Sequence, residues 1–235
     1  MTGLVLPGYR RDPGGTHPPL LSPGYGSTVL RAPSREPVVL PHSLTEITGP
    51  ALGEGRVLAS DSDLTRQHDG EPLGERIIVH GRVLDSDGRA VPDALVELWQ
   101  ANSAGRYSHQ RDQHPAPLDP NFTGVGRCLT DSSGRYRFVT LKPGAYPWRN
   151  HENAWRAQHI HFSLFGRSFV QRLVTQMYFP GDPLFYQDPI FNAVPSAARQ
   201  RMVSAFDLSE TVPEWALAYE FDIVLRGRDQ TPMEA

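Results

Sequence analysis

The chain has 235 residues, enough for one large domain with a substantial core or at most two small ones. Its 23 basic and 26 acidic residues give a net charge of -3, without the basic excess that holds a phosphate backbone. No apolar run is long enough to span a membrane, and the N-terminus lacks the features of a secretory signal. We therefore expect a cytoplasmic protein that binds neither nucleic acid nor membrane.

The single cysteine, Cys128, excludes an internal disulfide and any multi-cysteine zinc or iron–sulfur site. Its expected role is that of an inert, packed thiol. Any metal ion in this protein must then be held by histidine, tyrosine or carboxylate side chains.

Residues 1–50 form the first predicted region, a Pro/Gly-rich N-terminal arm. They contain nine prolines and seven glycines with no apolar period, so they cannot build a core of their own. The arm is either a disordered tail or an extended segment laid on a partner, and the apolar pieces Thr28–Leu30 and Pro37–Leu40 favour the second reading. Ser43 opens a capping-box pattern that predicts a short helix ending at Gly49–Pro50.

Residues 51–228 have the pattern of one β domain, followed by a tail, 229–235, to which no role is assigned. Strand-like runs alternate with Gly/Asp turns, and the one good helix candidate is Ser196–Val203. The predicted fold is all-β, an antiparallel β-sandwich with long functional loops and one or two short helices. The predicted strands are Arg76–Leu84, Ala94–Gln100, Gly134–Thr140, the strand that begins at His159, Phe169–Tyr178 and Ala218–Leu225. Within them, Trp99 and Tyr178 are predicted to be core residues.

The pattern His159-Ile-His161 is the strongest candidate for a metal site. On a strand the two imidazoles face the same side, roughly 6.5 to 7 Å apart along the chain, and can converge on one ion. The spacing alone fits zinc, iron or copper, and a satisfied polar pair is the alternative.

Two long stretches without regular patterning, 101–127 and 142–158, flank the central strands. Long ordered loops are more often functional than idle, so we expect the site to be built from them. Tyr107 lies in the first loop and Tyr146 in the second, although a single loop tyrosine is more often a packing residue.

Five blocks of the sequence resemble the intradiol ring-cleavage dioxygenases, in particular those that act on protocatechuate (3,4-dihydroxybenzoate). The resemblance runs from about Ser43 to about Arg226, and the order of the blocks makes coincidence a poor explanation. The blocks are residues 64–76, 98–107, 112–124, 142–148 and 159–162.

The resemblance implies one non-haem Fe(III) per chain, with Tyr107 and Tyr146 as tyrosinate ligands and His159 and His161 as imidazole ligands. A free phenol has a pKa of about 10, so it binds as phenolate only to a strongly Lewis-acidic ion. Two phenolates and one hydroxide neutralise Fe(III). A catecholate dianion that replaces the hydroxide and one tyrosinate leaves that balance unchanged and creates no buried net charge.

The implied reaction is O2-dependent cleavage of protocatechuate to 3-carboxy-cis,cis-muconate, in the beta-ketoadipate pathway of aromatic catabolism. Tyr146 and the bound hydroxide are the expected acceptors of the substrate's hydroxyl protons. Arg156 is expected to stabilise carbanion character in the ring, the alternative being a surface cation. Gln176 is expected near the oxygen site.

The resemblance also places four residues around the substrate. Trp148 and Ile190 are expected to contact the aromatic ring. The Tyr25 hydroxyl is expected to meet the substrate carboxylate. Arg149 either helps to balance that carboxylate or is solvated.

The resemblance further implies an alpha-chain partner, because the proteins of this type are alpha–beta pairs that assemble further. Three alternatives stay open. A catechol or hydroxyquinol 1,2-dioxygenase would use the same iron, but such enzymes carry a helical N-terminal region where this chain has a Pro/Gly-rich arm. A non-catalytic β-sandwich subunit would lack the four ligands. A zinc-binding β-sandwich would be unusual with paired tyrosines.

Overall fold

Eleven strands make up most of the regular structure in the computed structural model, which describes residues 14–38, 56–150, 152–165 and 172–234. The strand-forming segments combine β-branched and aromatic residues with Gly/Asp turns between them, the composition that fits a half-buried pleated surface. The strands are β1 (Arg76–Leu84), β2 (Leu95–Trp99), β3 (Val125–Leu129), β4 (Arg135–Leu141), β5 (Tyr146–Trp148), β6 (Ala154–Arg156), β7 (His159–Phe165), β8 (Arg172–Tyr178), β9 (Ala205–Val212), β10 (Ala216–Glu220) and β11 (Ile223–Val224).

The strands form two main sheets and one short ribbon. The first sheet has the order β4–β1–β10–β9, with β11 beside the end of β1. The second sheet has the order β3–β2–β7–β8, and β5 pairs with β6 in the ribbon. Apolar residues from both sheets form one buried cluster, which is the core of a β-sandwich. The predicted fold class is therefore confirmed.

Two pairings depart from the antiparallel expectation. β1 pairs in parallel with β10 and with β11, because the chain crosses the second sheet before it returns to the first. The predicted continuous strand Ala218–Leu225 is wrong, since β10 ends at Glu220 and β11 begins at Ile223. At the break, a carboxylate oxygen of Asp222 accepts the Arg82 N–H at 2.7 Å, in place of a strand carbonyl. Gly81 permits this approach, because a Cβ there would clash with the Phe221 carbonyl.

The other predicted strands are confirmed to within a residue or two, except that the predicted start of β8, residues 169–171, lies outside the described residues. β3, β5, β6 and β9 were not predicted. β3 lacks the alternation of buried apolar and exposed polar residues that predicts a strand, because its apolar residues Val125 and Leu129 are exposed and Gly126 is buried. β9 is an edge strand with no fully buried position, so it has no apolar alternation to detect.

The helices are short: α1 (Gly26–Arg31), α2 (Pro189–Ala193) and α3 (Ser196–Arg199). α3 continues as a 3-10 turn, Gln200–Met202, so the predicted helix at 196–203 is confirmed. Further 3-10 turns are Ala59–Ser62, Leu64–Arg66 and Phe185–Gln187. None of the helices in the described ranges is long and apolar enough to cross a membrane.

The arm is described over residues 14–38. The prediction of an extended segment at Thr28–Leu30 is wrong, because these residues lie in the helix α1. The cause is local: the Thr28 hydroxyl accepts the Ser22 N–H at 2.9 Å and donates to the Ser22 carbonyl at 2.7 Å. The Ser27 N–H donates to the Asn150 side chain at 2.8 Å, which fixes α1 on the β domain. The helix predicted at Ser43 lies outside the described residues.

Candidate metal centre

The four side chains predicted to bind metal converge at one end of the sandwich. Tyr107 Oη lies 3.1 Å from His161 Nε2 and 3.4 Å from His159 Nε2. Tyr146 Oη lies 3.5 Å from His159 Nε2. Donor atoms bound to one first-row metal ion at about 2.0 to 2.2 Å lie roughly 2.8 to 3.6 Å apart. The observed distances therefore fit four donors around a single ion.

Local contacts hold the two tyrosine loops together. The Tyr107 N–H donates to Asp112 Oδ2 at 2.8 Å, and the Gly144 N–H donates to the Asn102 carbonyl at 2.9 Å. Gly105 has a φ of +78°, and a Cβ there would collide with the Ala145 carbonyl. The tight turn at Gly105 thus brings the Tyr107 loop against the Tyr146 loop.

Each histidine is oriented by the ring nitrogen that faces away from the cluster. His159 Nδ1 lies 2.6 Å from the Ala157 carbonyl, and His161 Nδ1 lies 3.0 Å from Glu234 Oε2. Both partners only accept hydrogen bonds, so each Nδ1 carries the proton. Each Nε2 is then left with a lone pair that points at the tyrosines, as a metal-binding imidazole requires.

Burial sets the protonation states of the four side chains. It lowers the pKa of His159 well below its usual value, and the positive charge of Arg156 adds to the effect. It also lowers the pKa of His161, against the opposing effect of Glu234. Burial raises the pKa of Tyr107 and of Tyr146, and for Tyr146 the Arg156 guanidinium opposes the rise. The imidazoles are therefore neutral, and the phenols ionise only if a strong cation binds.

Arg156 is buried beside the cluster, 3% exposed, so the alternative of a surface cation is wrong. Its Nε lies 3.1 Å from the Asp188 carboxylate, which is fully buried, and its Nη1 lies 3.4 Å from Tyr146 Oη. Its Nη2 donates to the Gln176 side-chain oxygen, which also accepts from the Tyr178 hydroxyl at 2.8 Å. Asp188 neutralises the guanidinium and aims it at the cluster.

A cavity of about 500 Å³ opens onto the cluster. Tyr25 and Trp148 line it with ring centroids 5.0 Å apart, and Ile190 and Gln176 line it too. Arg149 is exposed and is not among the lining residues, so the described geometry gives it no contact there. Five ionisable side chains that were not predicted also line the cavity: Arg31, His109, Arg111, Asp112 and Glu234.

Sequence reasoning missed Glu234 and Asp188 and misassigned Trp99. Trp99 stacks on the His161 ring with centroids 4.8 Å apart and lines the cavity, so its assignment as a core residue is wrong. The dipeptide Asp188-Pro189 is a helix-start signal that could have marked α2 but not the ion pair. No local signal marks Glu234, because its contacts lie 73 and 58 residues away in the sequence.

Comparison with known proteins agrees with this fold. A family model described as "Dioxygenase" matches residues 47–227, and one described as "Protocatechuate 3,4-dioxygenase beta subunit N terminal" matches residues 9–43. The chain belongs to the intradiol dioxygenase family.

Within that family the chain is a relative of the protocatechuate 3,4-dioxygenase beta chains. It is 60% identical to the one from Burkholderia cepacia over 93% of this chain and 94% of that protein. The Burkholderia cepacia alpha chain is 32% identical over 67% of this chain and 76% of that protein. The solved hydroxyquinol 1,2-dioxygenase of Pseudomonas putida DLL-E4 shares the fold, with a TM-score of 0.56 and 22% identity over 86% of this chain and 71% of that one.

Proposed function

We propose that this chain is the catalytic beta subunit of an enzyme that cleaves protocatechuate with O2 to 3-carboxy-cis,cis-muconate, in aromatic catabolism. The observation that carries the proposal is the convergence of two phenols and two imidazoles, with Tyr107 Oη 3.1 and 3.4 Å from the two Nε2 atoms. The family match supports the reaction class, and the 60% identity to a protocatechuate-cleaving beta chain supports the substrate.

The metal proposed here is one Fe(III), held by Tyr107, Tyr146, His159 and His161. Buried phenols with raised pKa values stay protonated unless a highly charged, hard cation ionises them, and Fe(III) is such a cation. A ferric ion held by these four side chains would supply the Lewis acidity that makes a bound catechol reactive towards O2. Among the described residues there is no cluster of three or more His, Cys, Asp or Glu side chains that could hold a metal ion instead.

The chain's own residues supply proton transfer and charge stabilisation. Tyr146 Oη, at the edge of the cavity, would accept a proton from a substrate hydroxyl. Arg156, held by Asp188 and by Gln176, places a fixed positive charge beside the reacting ring, where it stabilises developing carbanion character. Because the guanidinium is already oriented, this stabilisation requires no rearrangement during the reaction.

The cavity walls match a substituted catechol. Trp148 and Ile190 supply apolar surface for the aromatic ring, and the Arg156 guanidinium lies 5.4 Å from the Trp148 ring centroid. Tyr25 is proposed to meet the substrate carboxylate. Arg31, whose guanidinium lies 4.9 Å from the Tyr25 ring centroid, places a positive charge at the same end. Arg149, being exposed, is left without this role.

We also propose an alpha-chain partner in alpha–beta protomers. The described part of the arm exposes large apolar residues, including Leu21 at 53%, Val29 at 61% and Leu30 at 92%. The pairs Leu20–Leu21 and Val29–Leu30 are adjacent in the sequence and exposed, and exposed apolar residues grouped in this way are typical of a surface that another chain covers. Co-expression with the alpha chain should therefore raise the yield of folded protein.

The test is the colour and metal content of the purified alpha–beta complex. We expect one iron per beta chain and a visible tyrosinate-to-iron charge-transfer band that shifts when protocatechuate is added without O2. With O2, protocatechuate should be consumed faster than catechol or hydroxyquinol. A preparation that stays colourless, iron-free and inactive after ferric loading would overturn the proposal. Faster turnover of catechol or hydroxyquinol would overturn the substrate assignment.

The variant Tyr107→Phe tests the ligand assignment separately. It should change the charge-transfer band and impair turnover, because one of the two phenolates is lost while the cavity keeps its shape. Tyr186→Phe, which removes the hydroxyl of an exposed tyrosine, is the control and should change neither. An unchanged band in Tyr107→Phe would show that Tyr107 is not a ligand.

A further inference from the structure

The C-terminal segment 230–234 reaches the metal centre through Glu234. One carboxylate oxygen, Oε2, lies 3.0 Å from His161 Nδ1 and accepts from Gln176 Nε2 at 2.9 Å. The carboxylate thus contacts a proposed metal ligand on the side that faces away from the metal. The sequence assigns no role to this tail.

Several hydrogen bonds hold the segment in place along β8 and β11. The Glu234 N–H donates to the Val174 carbonyl at 3.0 Å, and the Thr175 hydroxyl donates to the Pro232 carbonyl at 2.6 Å. The Thr231 N–H donates to the Val224 carbonyl at 3.0 Å. Gln230, Thr231 and Pro232 are buried. The position of the carboxylate is therefore set by the fold.

The two histidines differ in what orients them. For His159 the acceptor is the backbone carbonyl of Ala157, two residues away on the same chain segment. For His161 the acceptor is a carboxylate from the far end of the chain. A carboxylate behind a metal-binding histidine fixes the tautomer of the ring and increases the basicity of the ring. Removal of such a carboxylate typically lowers metal affinity by about 10- to 100-fold.

We propose that Glu234 is a positioning residue for the metal centre, which holds His161 in the form that presents Nε2 to the ion. This inference rests on the proposed function, since it presumes a metal at the cluster. Through Gln176 the same carboxylate is linked to Arg156, so the C-terminal segment couples a metal ligand to the cationic group beside the ring.

The experiment measures metal affinity in the alpha–beta complex with two probes, Fe(III) and Co(II), by competition with a chelator. Glu234→Ala should weaken the binding of both ions by about 10- to 100-fold and shift the tyrosinate-to-iron band. Glu234→Gln keeps an acceptor oxygen but loses the charge, so its metal affinity should fall by less than that of Glu234→Ala, by about tenfold. Met233→Ala, which truncates the adjacent and exposed side chain, is the matched control and should bind both ions as the wild type does.

The outcomes separate the two proposals. If the wild type binds Co(II) but not Fe(III), and Glu234→Ala weakens Co(II) binding, the positioning role stands and the ferric assignment fails. If the wild type binds iron and Glu234→Ala retains it with the same affinity and the same band, the positioning role is overturned while the proposed function stands. A lower melting temperature of the metal-free variant with unchanged affinity for both ions would also overturn it, because it would assign Glu234 a purely structural role.

Discussion

The two faces of β7 are held by different forces. Ile160, Phe162 and Leu164 point into the core between the sheets, and each is fully buried. His159 and His161 alternate with them and point into the donor cluster, held by hydrogen bonds. The core face depends on packing, which many apolar side chains share, whereas the site face depends on a few directional contacts. Substitutions on the two faces should therefore change different properties.

The largest effect is expected on the site face, for Tyr146→Phe. The proposed proton acceptor is lost, and removal of a positioned acid–base group typically lowers turnover by about 10²- to 10⁴-fold. Stability should change little, because the phenyl ring keeps the apolar contacts. Single-turnover measurements with protocatechuate, paired with urea unfolding, would check both expectations. Turnover within a factor of a few of wild type would remove Tyr146 from the mechanism.

Phe162→Ala tests the opposite face of the same strand. Phe162 packs against the rings of Tyr136, Phe138 and Phe221, so its truncation leaves a cavity and should cost about 3 to 5 kcal/mol of unfolding free energy. We expect the surviving folded protein to keep its charge-transfer band. If the band is lost at conditions where the protein is still folded, the two faces are not independent.

Asp188→Asn changes a residue that belongs both to the site, through Arg156, and to the packed structure, through the start of α2. Its carboxylate accepts from Arg156 Nε and from the N–H groups of Ala157, Ile190 and Phe191. Loss of its charge leaves the Arg156 guanidinium buried without a counter-charge, which should cost about 3 kcal/mol. Turnover should also fall, because the guanidinium is no longer aimed at Tyr146.

A double variant separates charge from geometry at this ion pair. Asp188→Asn with Arg156→Gln removes both charges, so it should be more stable than Asp188→Asn alone. Equal or lower stability of the double variant would assign the cost to the lost N–H contacts of α2 instead. Urea unfolding of the wild type, the two single variants and the double variant gives the four free energies of unfolding to be compared.

How much of this could be predicted from the sequence depends on how local each signal is. β1 is predicted in full because its pattern and its turn at Asp85 are local, and the four metal-binding candidates lie in three of the short blocks that carry the family resemblance. α1 is missed because its geometry depends on Thr28 side-chain bonds that propensity does not encode. Glu234 and Asp188 are missed because their contacts are set by the folded chain, across long separations in the sequence.

The smallest effect is expected for Cys128, which packs against the core from β3. Burial raises the pKa of its thiol from 9.0 to about 12. Because the folded-state pKa lies above the unfolded one, the native state holds the proton more tightly, and stability is lost as the pH rises above about 9.

The size of this loss of stability follows from proton linkage. The contribution of the Cys128 thiol to the unfolding free energy should fall by about 1.4 kcal/mol between pH 8 and pH 10. Cys128→Ala removes this contribution but shares every other titrating group with the wild type. Between pH 8 and pH 10 the unfolding free energy of the wild type should therefore fall by about 1.4 kcal/mol more than that of Cys128→Ala. A difference that stays constant with pH would show that the thiol is not held protonated by burial, and would place Cys128 outside the packed core.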